Sequence, residues 1–319
     1  MERRGDTNPK RKRGNPCSVC CVYEEVVMKR RFWIAGALLL VFISLAATQA
    51  EEPLSPGFRV VTYNIRYDNP GDGPNIWTNR REAMALYLRE TKADLIGMQE
   101  VLPQQRDYLA GQLGDFAVYS VGRDDGVKGE ATPIFYRKDR FELLEKGTFW
   151  LSLTPDQAGS KGWDAGLPRV VSWLKLRDKQ AGRAMLVVNT HFDNRGSQAR
   201  LESAKLLVKK IDELDGEGAD ALPVVLTGDF NCIAKQPPYE ALSPKGDVAG
   251  KLLDAHLITR EPHTGGDSTS SGFRELRPGA KIDFIFVRNF KVQSHRIDDP
   301  RIEGRFVSDH QPVAAELRW

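Results

Sequence analysis

Residues 223–231 read PVVLTGDFN, a β-branched apolar run that closes on a glycine and two polar residues, Asp229 and Asn231. β-Branched residues favour extended backbone, and a run this short with a glycine stop suits a buried strand better than a helix. The arrangement recurs along the chain. Asn64 follows VVTY, Glu100 follows DLIGMQ, His191 follows LVVNT, Asp283 opens DFIFV, and Asp309-His310 precede the last strand-like run. A lone Asp or Asn at a strand end is ordinarily a turn former. The set is different, because it combines carboxylates suited to a hard dication, two histidines, and acids able to orient them. Strand ends in α/β sheets are where rigid elements present several side chains to one cleft.

Outward from this stretch, strand-like and helix-like segments intermix. Strands are expected at residues 58–65, 94–100, 133–137, 140–150, 170–177, 184–191, 223–229, 281–288 and 312–318. Helices are expected over 80–91 and from Pro103 towards Leu113. A third is expected from a Ser197 cap, with Leu201, Ala204, Val208 and Ile211 at helical spacing. Residues 154–168 and 261–279 are rich in Gly, Pro, Ser and Thr and read as loops. No repeat and no internal linker interrupts residues 58–319, which read as one α/β domain.

The N-terminus is a different kind of sequence. Phe32–Ala47 carries no charge, follows Lys29-Arg30-Arg31 and precedes the small residues up to Ala50, the layout of a secretory signal peptide. An uncleaved anchor is the alternative, although the run is short of the ~20 residues that a spanning helix needs. Residues 1–27 are polar and basic and over-extend the signal, whereas a start at Met28 gives a compact one. The chain is therefore expected to divide into a mis-assigned extension (1–27), a signal peptide (28–50), a short linker (51–57) and the domain proper (58–319). Export to the periplasm or the medium is expected, with no stable membrane insertion after cleavage.

This division changes the charge and cysteine arithmetic. The net +3 of the whole chain belongs to the leader, because residues 51–319 carry 37 Lys+Arg against 39 Asp+Glu. A strongly basic nucleic-acid footprint is thereby excluded for the domain as a whole. Cys17, Cys20 and Cys21 precede Met28, so Cys232 is the domain's one thiol. It reads as a packed side chain, with no disulfide available to stabilise the domain.

The motifs TYNI, MQE, NTHFD, TGDFN, KIDFIFV and SDH stand in this order between Thr62 and His310. In this the sequence resembles the endonuclease/exonuclease/phosphatase superfamily, which includes DNase I, sphingomyelinases, inositol-polyphosphate 5-phosphatases and nocturnin-like deadenylases. The resemblance implies an α/β four-layer sandwich, two packed mixed β-sheets flanked by helices. It also implies that Asn64 and Glu100 hold Mg²⁺ or Mn²⁺ with Asp309 close by. Asp229 would orient or deprotonate the attacking water, and Asn231 would donate to a phosphoryl oxygen. His310, oriented by Asp283, would serve in acid/base chemistry, and His191 would contact the phosphate from the other side.

Glu130, six residues before Tyr136, has the spacing of the acid that pairs with this histidine in DNase I-like members. If the fold is right, Arg169, Trp163 and Phe273, with Trp77, Arg80 and Arg81, line the rim and select the substrate. The leading expectation is a monomeric, metal-dependent phosphodiesterase of the nuclease type. A hydrolase of a small phosphoester is the alternative, and an inactive binding module is a third reading, against which all eight core positions stand intact. Intact mass or N-terminal sequencing of the secreted protein tests the leader. The mature chain is expected to begin at Glu51, and translation initiating at Met1 would overturn the assignment of residues 1–27.

Overall fold

The computed structural model describes residues 56–216, 221–245 and 251–319. The segments read as extension and signal peptide, and most of the linker, lie outside the described residues. In chain order the strands are β1 (Gly57–Asn64), β2 (Leu95–Gln99), β3 (Phe116–Tyr119), β4 (Ile134–Arg137), β5 (Phe141–Trp150), β6 (Val170–Asp178), β7 (Arg183–His191) and β8 (Val224–Asp229). They continue as β9 (Leu253–Asp254), β10 (Thr264–Gly265), β11 (Asp283–Arg288), β12 (Lys291–Ile297), β13 (Arg301–Ile302), β14 (Arg305–Phe306) and β15 (Val313–Arg318). Among the described residues these form one sheet in the order β10-β12-β15-β1-β2-β4-β3 and another in the order β5-β6-β7-β8-β11-β9, with β13-β14 as a separate ribbon. Both large sheets are mixed, since β1 runs parallel to β2 and antiparallel to β15, and β7 runs parallel to β8.

Side chains alternate faces along a strand, and this alternation sorts the apolar residues into three cores. Phe58, Val60 and Leu95 of the first sheet meet Met185, Val187, Val225 and Ile285 of the second, which fills the space between the sheets. The opposite parity of the first sheet (Val61, Tyr63, Ile96, Met98) packs on Met84 and Leu88 of the helix Trp77–Glu90 and Leu109 of the helix Pro103–Gln112. The opposite parity of the second (Leu186, Val188, Leu226, Phe284) packs on Ala204, Leu207 and Ile211 of the helix Ser197–Asp215. Helix, sheet, sheet, helix are the four layers.

Following the inner parity along the strands shows where the apolar core ends. Beyond Val60, Leu95, Val187 and Val225, the next inward positions are Thr62, Gly97, Asn189 and Thr227. Apart from Gly97, which has no side chain, they are fully buried and hydrogen-bonded; Asn189 bridges the two sheets through Gln99, while Thr62 and Thr227 bond within their own sheets. Asn189 Nδ2 donates to the main-chain oxygens of Met98 (2.7 Å) and Pro133 (2.9 Å). Its Oδ1 accepts from Gln99 Nε2 (2.8 Å) and from Thr227 Oγ1 (3.0 Å), while Gln99 also donates to Thr62 Oγ1 (3.0 Å). The sheets approach so closely here that a Cβ on Gly97 would lie 2.2 Å from Thr227 Oγ1 and 2.9 Å from Asn189.

Several local readings differ from the structure, which also has a strand at Phe116–Tyr119 and a helix at Pro237–Leu242 that the sequence pattern did not mark. Ser197, expected as a cap, is the first residue of its helix; Asp164 from a preceding loop accepts from the backbone N–H of Ala199 (2.6 Å) and Gln198 (3.3 Å) instead. No strand was expected at Lys291–Ile297, where Gln293, Ser294, His295 and Arg296 dilute the apolar signal. Antiparallel pairing with β15, across a bulge between Val292 and Ser294, makes it one.

Truncating the cross-sheet amide tests its role. Asn189→Ala removes an acceptor from Gln99 and Thr227 and a donor from the Met98 and Pro133 carbonyls, while Gln99 keeps Thr62, Thr227 keeps the Val188 carbonyl and Pro133 keeps the Met98 N–H. A loss of about 2 kcal/mol in urea unfolding is expected, within the range for weakened burial of polar groups. A loss well below ~1 kcal/mol would show that this layer does not hold the sheets together.

Candidate active site

One further step along the same inward parity reaches Asn64, His191, Asp229 and Asp283, at the end of the inter-sheet space. Register does the rest. Asp229 lies directly between His191 on the parallel neighbour β7 and Asp283 on the antiparallel neighbour β11. Asn64 donates through Nδ2 to Asp229 Oδ2 (2.9 Å) and to Glu100 Oε1 (3.1 Å), which ties the first sheet to the second at the site itself. Ser308 Oγ donates to the Asn64 carbonyl (2.7 Å) and fixes the turn that carries Asp309 and His310.

The two histidines sit on either side of Asp229 in opposite electrical states. His310 Nδ1 is 2.8 Å from Asp283 Oδ2, and its Nε2 is 3.8 Å from Asp229. Burial disfavours charge on this ring, but the Asp283 and Asp229 carboxylates outweigh it and hold its pKa well above the usual range. His191 is held well below, by burial and then by the nearby Arg169 and Arg123 guanidinium groups. Asn231 Nδ2 donates both to the Phe192 carbonyl (3.0 Å) and to His191 Nε2 (3.0 Å), so the neutral ring carries its proton on Nδ1. Asp229 is raised above the ordinary carboxylate range by burial and by Asp283, while its Oδ1 accepts the Asn231 backbone N–H (2.9 Å). Glu100 and Asn231 both hold positive φ (61° and 47°), strained backbone of the kind that aims functional side chains.

Opposite the carboxylates stands a wall of arginines. A cavity of about 490 Å³ is lined by Arg66, Arg123, Arg169 and Arg195 together with Glu100, Glu130, His191, Asp229, Asn231 and His310. Arg169 is buried and is held by Asp193 (Nε to Oδ2, 3.3 Å) and Asn194 (Nη2 to Oδ1, 3.1 Å), while its Nη1 has no protein partner. Asp193 organises the loops beneath. It accepts backbone N–H groups of Gly166, Leu167, Arg195 and Gly196, and these contacts with Arg169 overcome burial to hold its carboxyl at about 2.

Several expectations are corrected here. Glu130 does not pair with His191: both its oxygens are taken by Arg123 (2.7 and 2.8 Å), because a bidentate guanidinium contact outcompetes a neutral ring. Trp163 is half-buried, beside the Asp164 that caps a helix, and does not line the cavity. Phe273 does not line it either; its ring lies 5.7 Å from the Arg80 guanidinium, in the loop whose Ser271 and Gly272 N–H groups donate to the Asp309 carbonyl. Trp77 is buried against Tyr108, and Arg80, only 2% exposed, donates to the carbonyls of Ile65, Arg66 and Asn75. Neither forms a rim, since a guanidinium satisfied by carbonyls staples loops instead of meeting substrate. Cys232 is a packed thiol, pushed up to about 12 chiefly by burial.

Sequence reasoning missed Arg66, Arg123, Arg195 and Asp193. Asp193 stands inside the NTHFD motif and could have been noticed there; the arginines lie in loops with no periodicity to mark them.

The donor set fits a divalent metal ion. Glu100 and Asp309 offer hard oxygens, and Asn64 would add its Oδ1 on reversal of an amide that here gives Nδ2 to Glu100 and Oδ1 to the Arg66 N–H. Burial raises the Asp309 carboxyl and Glu100 adds repulsion, with Arg66 at 3.7 Å from Glu100 and 3.9 Å from Asp309 as the cation nearest both. A dication beside the pair would relieve that repulsion.

The sequence profile of the Endonuclease/Exonuclease/phosphatase family matches residues 61–310. A crystal structure of an endonuclease/exonuclease/phosphatase from Bacteroides vulgatus is 40% identical, with a TM-score of 0.77 over 82% of this chain and 99% of that one. The mannosyl-6-phosphatase of Bacteroides thetaiotaomicron is 36% identical, with a TM-score of 0.75 over 82% of this chain and all of that one. Among curated relatives, Carbon catabolite repressor protein 4 homolog 6 of Arabidopsis thaliana is 27% identical over 72% of this chain. The chain spans about a third (32%) of that protein's length.

The low Asp193 pKa has a consequence for stability. A carboxylate depressed in the folded state stabilises above its unfolded pKa and loses that contribution as pH falls through the folded one. The stability advantage of the native protein over Asp193→Asn is therefore expected to be full above pH 3.8 and to shrink towards about pH 2. Denaturant melts of both proteins across that window check it.

Proposed function

The chain belongs to the endonuclease/exonuclease/phosphatase family and is a phosphoester hydrolase, and we propose that its substrate is a small phosphomonoester of the sugar-phosphate kind. The observation that carries this reading is the cavity wall, where four arginines line about 490 Å³ and the buried Arg169 keeps one nitrogen without a protein partner. That volume suits a small molecule. A phosphomonoester is dianionic near neutral pH and presents more charge to such a wall than a diester does. Residues 51–319, with 37 Lys+Arg against 39 Asp+Glu, provide no basic excess for a nucleic-acid backbone. The 36% identity to a mannosyl-6-phosphatase supports the same choice. A phosphodiester, nucleic acid included, is the second reading.

In this reading Asn64, Glu100 and Asp309 hold Mg²⁺ (or Mn²⁺), which supplies Lewis-acid polarisation of a phosphoryl oxygen when bound. Asp229, oriented by Asn64 and the Asn231 backbone, positions the attacking water and accepts its proton, for which its raised pKa suits it. His310, charged and fixed by Asp283, donates towards the phosphoryl group or the leaving oxygen. Neutral His191 donates through Nδ1–H while Asn231 occupies its other nitrogen. Arg169, with Nη1 unpartnered, binds the remaining phosphate charge, and Arg123, held by Glu130, adds its field. The leader, read as an export signal, would place this hydrolysis outside the cytoplasm.

Steady-state rates on a hexose 6-phosphate, a generic phosphodiester and single-stranded DNA, with Mg²⁺ or with chelator, test the proposal. The monoester is expected to lead in kcat/KM and to need the metal. Asp229→Asn and His310→Ala should each lower kcat by about 10²–10⁴-fold. Arg169→Ala should act mainly on KM for the monoester. Preference for the diester or for DNA would overturn the substrate assignment and leave the catalytic one standing.

A further inference from the structure

The chain has five histidines. Two are in the cleft, and the other three, His256, His263 and His295, meet elsewhere, contributing nothing to the cleft lining. They come from three different elements: His256 from the short helix Ala255–Ile258, His263 from the loop before β10, and His295 from β12. Their ring centroids lie 4.4, 4.9 and 5.0 Å apart, with the His256 and His263 rings stacked at 26°, so the His256 ring must turn before its nitrogen can share an ion with the other two. Three imidazoles around one tetrahedral ion, with metal–nitrogen bonds of about 2.0–2.1 Å, would put their centroids roughly 5 Å apart.

The hydrogen-bond pattern points the same way. His263 Nε2 lies 2.9 Å from the Gly266 carbonyl, which can only accept, so that nitrogen carries the proton and Nδ1 keeps its lone pair. That lone pair lies 2.9 Å from His295 Nδ1 and 3.1 Å from the His295 carbonyl, a gap that either a proton on His295 Nδ1 or a cation can bridge. A ring whose far N–H donates to a carbonyl is also how metal-ligating histidines are usually oriented. His295 is 1% exposed and its Nε2 has no partner, so hydrogen bonding leaves this ring incompletely satisfied. One candidate ligand atom from each residue lies within 4.8 Å of the others, and His256 is half-buried. His256 also borders a cavity of about 440 Å³ beside Leu257 and Lys281, which gives an ion a path from solvent. Lys281 brings a positive charge near, but Asp254 pairs with it at 3.2 Å.

We propose that His256, His263 and His295 form a second metal site, which takes a borderline dication such as Zn²⁺ through three imidazole nitrogens. Its nitrogen donors separate it from the oxygen-rich cleft, where a hard ion fits. Bound there, the ion would pin the excursion 253–265 onto β12 and so act on stability, whatever the substrate of the cleft.

Co²⁺ and Zn²⁺ titrations of the chelator-stripped protein test this. Four-coordinate Co²⁺ absorbs visible light far more strongly than the six-coordinate ion expected among the cleft carboxylates. About one equivalent is expected to develop that absorption, and Zn²⁺ to quench it. Zn²⁺ should also raise the thermal midpoint. His263→Ala and His256→Ala, at half-buried positions, should weaken binding by more than about 100-fold and abolish both effects. Circular dichroism of the stripped variants checks that they fold. Absence of the four-coordinate band from the native protein would overturn the site and leave a proton shared between His263 and His295. A band that survives in both variants would also overturn it and assign the ion to a different set of ligands.

Discussion

The amide of Asn189 is the contact on which the arrangement depends. Two sheets that met only through apolar side chains could slide, because hydrophobic attraction has no direction. Asn189 is fully buried and spends both of its donors and its one oxygen on partners from both sheets. Only one spacing and one register satisfy all of them at once. The residues that follow along the same parity, Asn64, His191 and Asp229, are therefore placed by strands already locked together. Gly97 belongs to the same constraint, since any larger side chain would force Thr227 and Asn189 away.

Beyond that layer, electrostatics differentiates groups that are chemically alike. His191 and His310 are both buried at strand or turn ends, yet one faces two guanidinium groups and the other two carboxylates. Neighbours set their opposite protonation states, as they raise Asp229 between them. A site of this kind holds a neutral donor, a charged donor and a proton acceptor within one small volume. The Arg123–Glu130 pair sharpens the arrangement: Arg123 takes both oxygens of Glu130, and although Asp229 Oδ2 lies 3.4 Å from His191 Nε2, burial and the guanidinium groups hold that ring's pKa well below the usual range.

The loops that give the cleft its charge are braced from behind. Asp193 gathers four backbone N–H groups and the Arg169 side chain, so that the arginine reaches the cavity with one nitrogen left over. Arg80 does the converse on the other side, spending its guanidinium on loop carbonyls and holding the turn after Asn64. Burial and partner, not residue type, separate the arginine that keeps a nitrogen free towards the cavity from the arginine that holds the loops.

The sequence by itself determined the strand ends and what they carry. The runs ending at Asn64, Glu100, His191 and Asp229 are written in adjacent residues, and period-two alternation fixes which side chains share a face. The order of the motifs brought the family and its four-layer sandwich with it. Only the tertiary structure decided what depends on neighbours far apart in the chain. Glu130 has the spacing to serve His191, but Arg123 reaches it first; Trp163 and Phe273 have the chemistry of substrate contacts, but their loops turn them away from the cavity. Arg80 looks exposed on a helix and is buried by loops from elsewhere. β12, polar in sequence, is a strand because β15 pairs with it, and that pairing brings His295 to His263 and His256. Local pattern reports backbone preference and facing, whereas partners, protonation and burial are set by contacts that close only when the sheets pack.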